Sequence, residues 1–206
     1  MTATRQQQRA ATRKSILDAA VLSFARFGYD GTHFREITAT CGAQRTLILY
    51  HFQTKEQLWQ SAAEEVERRF TAAFDELFSP EQLADDRAKI RHTLTCFVDA
   101  LSQVPEYGQF YLREGTSEGP RMEWLSRHFA PPRALDLSLD DRELDARIRG
   151  TVLRDIIASS LVAFVTLGPL LDRSHANASR RDTMGLYPLS ESRRGEFIDY
   201  LIKLIF

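Results

Sequence analysis

Apolar residues recur every three or four positions along most of the chain, which is the spacing of helices that bury one face. No segment alternates as a β-strand would, so the pattern predicts an all-α protein. Near the N-terminus three amphipathic segments follow one another, and Gly28 and Gly42 predict the ends of the first two. Thr32 is the predicted N-cap of the second. The three segments span residues 10–27, 32–41 and 44–52.

Further helices are predicted after the third segment. Thr54 is the predicted N-cap of a long helix that Pro80 ends. Residues 1–8 are polar and aperiodic and predict a mobile arm, and residues 172–190 predict a loop or disorder. The predicted helices span residues 55–78, 90–104, 107–114, 121–129, 147–168 and 191–206.

Charge is unevenly distributed along the chain. Residues 1–55 carry eight basic and three acidic side chains, a net charge of +5, whereas residues 56–206 carry a net charge of −6. A basic end on an acidic body fits a chain that meets phosphates at one end only, although chance variation of surface charge is the alternative. No apolar run is long enough to span a membrane, the first 14 residues lack a secretion signal, and two cysteines give no disulfide framework. We therefore expect a cytoplasmic protein.

Two short helices joined by a glycine-containing turn have the outline of a helix-turn-helix. Gly42 permits a steep crossing, and the helix predicted from Gln44 fits the width of the major groove. Its first residues, Gln44, Arg45 and Thr46, are polar, as a groove-facing surface requires. A pair of packing helices in a generic bundle is the alternative interpretation.

Several motifs in this region occur in a specific order. They are Ile16–Phe24, Gly28–Thr32, Arg35-Glu36-Ile37, Cys41-Gly42 and Tyr50–Leu58. Over about residues 12–60 the chain resembles the DNA-binding head of the TetR family of bacterial regulators. The resemblance implies a DNA-binding domain with a basic arm at residues 1–54 and a ligand-binding and dimerisation domain at residues 55–206. It also implies a regulator, by default a repressor, that binds a palindromic operator as a homodimer and is released by a small molecule.

The recognition helix departs from the family pattern. Gln44 replaces a small capping residue, and Leu49 replaces the tyrosine that usually touches a phosphate. We expect Gln44, Arg45 and Thr46 near base edges. Packing is the alternative role for His51, and Arg5 and Arg9 belong either to a minor-groove arm or to a solvated tail. The residues expected at phosphates or in positioning roles are Thr32, Arg35, Tyr50, His51 and Lys55.

Two apolar stretches predict the dimer interface, residues 156–167 and 197–206. The resemblance implies that they form a four-helix bundle from two subunits, and a core within one subunit is the alternative. The predicted interface residues are Ile156, Leu161, Phe164, Val165, Phe197, Leu201 and Ile205.

Aromatic and polar residues in the middle of the chain predict a small-molecule pocket, although each residue singly could be plain core or surface. His92 and Cys96 lack a third ligand, so we expect no metal and no cofactor. The motifs of common enzyme classes are also missing, and the rival interpretation is a helical interaction module with a degenerate head. The candidate ligand-binding residues are His92, Cys96, Phe97, Tyr107, Phe110, Tyr111, Trp124, His128 and Phe164.

Overall fold

A computed structural model describes residues 4–79, 83–128, 137, 139–171 and 191–206 of the chain. That part of the chain is helical with no strand, which confirms the all-α prediction. The helices are α1 (Arg5–Gly31), α2 (Phe34–Cys41), α3 (Arg45–Phe52), α4 (Lys55–Leu77), α5 (Asp86–Gln103), α6 (Pro105–Glu114), α7 (Pro120–His128), α8 (Arg142–Arg149), α9 (Thr151–Thr166) and α10 (Glu191–Ile205).

Helix α1 begins earlier than the apolar pattern predicted. The Thr4 hydroxyl accepts the backbone N–H of Gln7, and the Gln7 side chain accepts the backbone N–H of Thr4. This reciprocal cap satisfies two donors that the first turn of a helix leaves open, so residues 5–8 are helical. The predicted mobile arm is therefore wrong over residues 5–8. At its other end α1 kinks at Gly28, whose φ of 69° is in the left-handed region, before a last turn to Gly31.

The cap of α2 lies one residue later than predicted. His33 is the N-cap, and its backbone N–H donates to the Glu36 carboxylate at 3.0 Å. Thr32 instead ends α1. Only His33 places Glu36 at the third helical position, from which a carboxylate reaches back to the cap. The predicted cap of α4 is confirmed, because the Thr54 hydroxyl accepts the backbone N–H of Gln57 at 3.0 Å.

The single helix predicted over residues 147–168 is two helices. The Asp141 carboxylate accepts the backbone N–H groups of Glu143 and Leu144, which starts α8 early, and Gly150 is extended and separates α8 from α9. Pro80 and residues 172–190, where a helix end and a loop or disorder are predicted, lie outside the described residues.

The chain forms two compact units. The first comprises Met1–Arg69 and Gln109–His128, and the second comprises Phe70–Gly108 and Phe129–Phe206. The predicted functional boundary between residues 54 and 55 stays a prediction. Buried residues of the first unit include Phe24, Ile37, Ile48 and Trp59, and those of the second include Phe97, Leu101, Tyr107, Leu161 and Ile202.

Candidate functional site

The turn between α2 and α3 depends on Gly42. Its φ of 72° is in the left-handed region, where a side chain is disfavoured, and its N–H donates to the Thr38 carbonyl at 2.8 Å. A Cβ at this position would meet no atom within 4 Å, so the backbone conformation, not space, requires glycine. The turn ends α2 abruptly and allows α3 to leave in a new direction.

Helix α3 has one buried face and one polar end. Ile48 is fully buried and Phe52 is nearly so, and both anchor the helix in the first unit. Gln44, Arg45 and Thr46 are exposed at its N-terminus. Gln44 is the N-cap, but its side chain makes no capping hydrogen bond, so its amide remains available to a ligand. The predicted base-reading residues therefore share one exposed end of the helix.

Two exposed arginines of α2 and α3, Arg35 and Arg45, differ in their partners. The Arg45 guanidinium lies over the Phe34 ring at 5.2 Å from its centroid and pairs with no carboxylate among the described residues. The Arg35 guanidinium pairs with Glu36 at 2.9 Å. The charge of Arg45 is thus open to a phosphate or a base, whereas that of Arg35 is already balanced.

Two of the expected phosphate contacts are less accessible than the sequence suggests. Thr32 is fully buried, and its hydroxyl lies 2.7 Å from the Gly28 carbonyl and 3.0 Å from that of Ser23. Its side chain therefore holds α1 and cannot touch a phosphate in this conformation. Lys55 is half-buried, with its ammonium 4.4 Å from the Tyr29 ring centroid, and burial lowers its pKa.

At the C-terminal end of α3, Tyr50 is 62% exposed and packs its ring edge-on against His51. Arg9 and Arg13 of α1 lie over the Tyr50 and Phe52 rings, with guanidinium carbons 5.4 Å and 4.7 Å from the centroids. Burial, and then the charges of Arg9 and Arg13, lower the pKa of His51. Arg13 was not among the predicted site residues, although its spacing of four residues from Arg9 is a signal in the sequence.

The candidate ligand residues fall into both units. In the first, Phe110 is buried, Tyr111 is half-buried, and Trp124 stacks on His128 at 4.0 Å between ring centroids. Trp124 also packs edge-on against Trp59 at 5.6 Å, which makes Trp59 a member of the aromatic cluster that the sequence did not single out.

In the second unit, Phe97 and Tyr107 are fully buried, and the Tyr107 ring stacks on Phe70 at 4.1 Å. The nearest ring nitrogen of His92 lies 3.5 Å from the Cys96 sulfur, and burial raises the pKa of the Cys96 thiol. Within the described residues no group of three or more histidine, cysteine or acidic side chains is arranged to hold a metal.

Two buried polar atoms of α4 have no hydrogen-bond partner among the described residues. They are the Trp59 indole nitrogen and the Glu67 Oε2 atom. Burial without a compensating charge raises the pKa of Glu67 to about 7. Buried polar groups normally find a partner, so both atoms are candidates for contact with a ligand. No sequence signal distinguishes them from other residues of an amphipathic helix.

The buried Glu114 carboxylate of α6 binds the backbone of α1 next to its kink. Glu114 accepts the backbone N–H of Tyr29 at 3.1 Å and pairs with Arg121 of α7 at 3.4 Å. The Arg121 guanidinium lies 4.0 Å from the Tyr29 ring centroid, and Arg113 donates to the Ala25 carbonyl at 3.1 Å. We call Arg113, Glu114 and Arg121 the kink clasp. All of these residues belong to the first unit.

The predicted dimer-interface residues divide into buried and exposed sets. Leu161, Val165, Leu201 and Ile205 are buried within a single copy, which favours the alternative of a core within one subunit for these four. Ile156 is 47% exposed, and Phe164 stacks on Phe197 at 3.9 Å between half-buried rings. The sequence missed Val152, Tyr200 and Leu204, which are large exposed apolar side chains of the same two helices.

No helix in the described part of the chain is long and apolar enough to cross a membrane. Residues 16–62 match the family model described as bacterial regulatory proteins, tetR family. The chain is 34% identical over 122 residues to the HTH-type transcriptional regulator RutR of Escherichia coli strain K12, an alignment that covers 58% of this chain and 55% of RutR. It is 30% identical over 118 residues to the HTH-type transcriptional repressor NicS of Pseudomonas putida, covering 57% of this chain and 55% of NicS.

The chain thus spans about half the length of the curated relatives that it matches. The crystal structure of SCO4942 from Streptomyces coelicolor has the same fold, with a TM-score of 0.60 at 19% identity over 94% of this chain and 97% of that one. The family match covers α2, α3 and the start of α4. It therefore includes the exposed polar end of α3. Residues 16–62 of this chain, which hold the helix-turn-helix, are thus similar to the DNA-binding segment of the tetR family of bacterial regulatory proteins.

Proposed function

We propose that this protein is a transcriptional regulator that inserts α3 into the major groove of duplex DNA. The observation that best supports this proposal is the N-terminal end of α3, where Gln44, Arg45 and Thr46 are exposed to solvent. Ile48 and Phe52 are buried and anchor the helix in the first unit. Side chains at the N-terminus of a recognition helix are the ones that reach base edges. We propose that the protein acts on DNA in the cytoplasm.

The regulator binds a palindromic operator as a homodimer. One head offers too small a surface for specific binding at cellular salt, and a dimer reads two half-sites. The observation that supports pairing is the set of large exposed apolar side chains on α9 and α10, which includes Ile156, Tyr200 and Leu204. Repression is the default direction, and the relative NicS is named a repressor.

A small molecule releases the protein from DNA by favouring a conformation whose heads no longer match the operator. The support for coupling lies in the first unit, where the α6–α7 segment carries both the candidate ligand residues Trp124 and His128 and the kink clasp. A ligand that displaces this segment would weaken the hydrogen bond from the Tyr29 backbone to Glu114. The unpartnered Trp59 nitrogen and Glu67 carboxyl favour a ligand with hydrogen-bonding groups.

Selection of bound fragments from a genomic DNA pool, followed by quantitative binding at several salt concentrations, tests the DNA half of the proposal. We expect affinity to fall steeply with salt, because phosphate contacts release counterions. Arg45→Ala should weaken binding, whereas Arg68→Ala is the matched control because Arg68 is exposed on α4 and paired with Glu65. Binding that is absent, or that is equally weak for every duplex, would contradict the proposal.

The sensing half is tested by a ligand screen against the operator complex. Glu114→Gln removes the charge of the kink clasp and keeps its shape, so ligand should still bind but should release DNA less effectively. A variant that keeps the wild-type ratio of DNA affinity with and without ligand would show that the kink clasp carries no coupling.

A second candidate function is a helical interaction module with a degenerate head. Leu47 is 38% exposed on α3 and Leu49 is half-buried there, and neither can donate a hydrogen bond to a phosphate. This function predicts that duplex DNA is not bound in a salt-dependent way, so the same binding series separates the two candidates.

A further inference from the structure

Three arginines form a line on the first turns of α1. Arg5, Arg9 and Arg13 are four residues apart, and all three are exposed. Residues at this spacing lie one above the other on the same face of a helix. Because α1 is helical from Arg5 onward, the three guanidinium groups are held on a rigid element and not on a loose arm. We call Arg5, Arg9 and Arg13 the arginine ridge.

The arginine ridge pairs with no carboxylate among the described residues. The next cation of α1, Lys14, pairs with Asp18 at 2.7 Å, and on α4 Arg68 pairs with Glu65 at 2.7 Å. Lys14 and Arg68 therefore each carry a counterion, whereas the ridge has none in the described part of the chain. A row of unbalanced like charges is costly to keep together unless an anion binds there.

Aromatic contacts fix where the arginine ridge lies. Arg9 and Arg13 stand over the Tyr50 and Phe52 rings, and these two residues belong to the last turn of α3. Their charges reach the surface of α3, because they contribute to the lowered pKa of His51 between the two rings. The guanidinium groups of Arg9 and Arg13 therefore supply positive charge at this end of α3.

The length of α3 places the arginine ridge at the edge of the groove. Its eight residues are about 12 Å long at 1.5 Å per residue, and the major groove is about 12 Å wide. When the N-terminal end of α3 meets base edges, its C-terminal end lies at the groove margin, where the sugar-phosphate backbone runs. Guanidinium groups match phosphate oxygens in charge and in geometry.

We propose that the arginine ridge is a second DNA-binding element, which grips backbone phosphates beside the C-terminal end of α3. The inference rests on the proposed function, because it assumes that α3 enters the major groove. The ridge fixes the register of the head and adds affinity that does not depend on base sequence.

Salt-dependent binding tests the proposal with Arg9→Gln, Arg13→Gln and the double variant. Each lost phosphate contact should reduce the slope of log affinity against log salt by about 0.9, so the double variant should lose about 1.8. The loss of affinity should be nearly equal on operator and on unrelated duplex DNA. Arg68→Gln, which removes a paired arginine far along α4, should leave the slope unchanged.

Folding and charge are checked separately. Glutamine keeps helix propensity, and circular dichroism should match the wild type. The pKa of His51, measured by NMR titration, should rise in both single variants because a neighbouring cation is gone. Arg9→Lys keeps the charge and should restore most of the salt slope.

Two results would overturn the proposal in different ways. If the wild type and the folded double variant bind DNA with equal salt slopes, the arginine ridge does not contact phosphates. The proposed function would be unaffected by that result. A wild-type protein without salt-dependent binding to any duplex would overturn both.

Discussion

Glu67 should make the stability of this protein fall as the pH rises from 4.5 to 7. Its Oε2 atom is buried without a hydrogen-bond partner among the described residues, and burial raises the pKa of the carboxyl from 4.5 to about 7. Between these two pH values the folded protein holds a proton that the unfolded chain releases. The contribution of Glu67 to the free energy of unfolding is therefore fully present below pH 4.5 and is lost as the pH rises through 7.

The size of the effect follows from the same two pKa values. A difference of about 2.5 pKa units corresponds to about 3 kcal/mol between the two protonation states. Glu67→Gln replaces the carboxyl by a neutral amide of the same shape, so the variant should not suffer this loss. For a chain of this length, 3 kcal/mol corresponds to about 6–12 °C in the midpoint of thermal unfolding.

The assay is thermal or denaturant unfolding of the wild type and of Glu67→Gln at half-unit steps from pH 4 to pH 8.5. The variant should gain on the wild type by up to about 3 kcal/mol between pH 4.5 and pH 7.5 and run parallel to it outside that window. Glu64→Gln is the matched control, because Glu64 is exposed on the same helix. A constant difference between the wild type and Glu67→Gln across the whole range would refute the reasoning, because it would show that the carboxyl titrates alike in both states.

Three further predictions concern the head and the dimer. Arg45→Ala should weaken operator binding about 10- to 100-fold in a fluorescence titration, and Arg35→Ala should weaken it less because its guanidinium is already paired with a carboxylate. Thr32→Val should lower the free energy of unfolding by about 1–2 kcal/mol in a denaturant titration, because its buried hydroxyl lies within hydrogen-bond distance of two backbone carbonyls. An unchanged free energy of unfolding would contradict the structural role of Thr32. Leu204→Glu should disrupt the proposed dimer, so that light scattering gives the mass of a monomer, and a retained dimer would place the interface elsewhere.

Local features of this chain could be predicted well from the sequence. The period of apolar residues gave the all-α class, and the bounds of α3 follow from Gly42 before it and from Ile48 and Phe52 on one face. Each of these signals acts over a few residues of helix, where spacing alone determines which side chains share a face. Missed boundaries include the starts of α1, α5 and α8, which belong to the capping residues Thr4, Asp85 and Asp141 outside the apolar pattern.

Tertiary packing determined which side chains are accessible, because burial depends on residues far apart in the chain. Helical spacing places Leu201 and Leu204 on the same amphipathic helix, but only packing against neighbouring helices buries the first and exposes the second. The contact between Glu114 and the backbone of Tyr29 joins positions 85 residues apart, and no periodicity predicts it. Sequence alone therefore determined the helical class and the polar end of α3, and only the tertiary structure decided which polar groups of the described residues lack a partner.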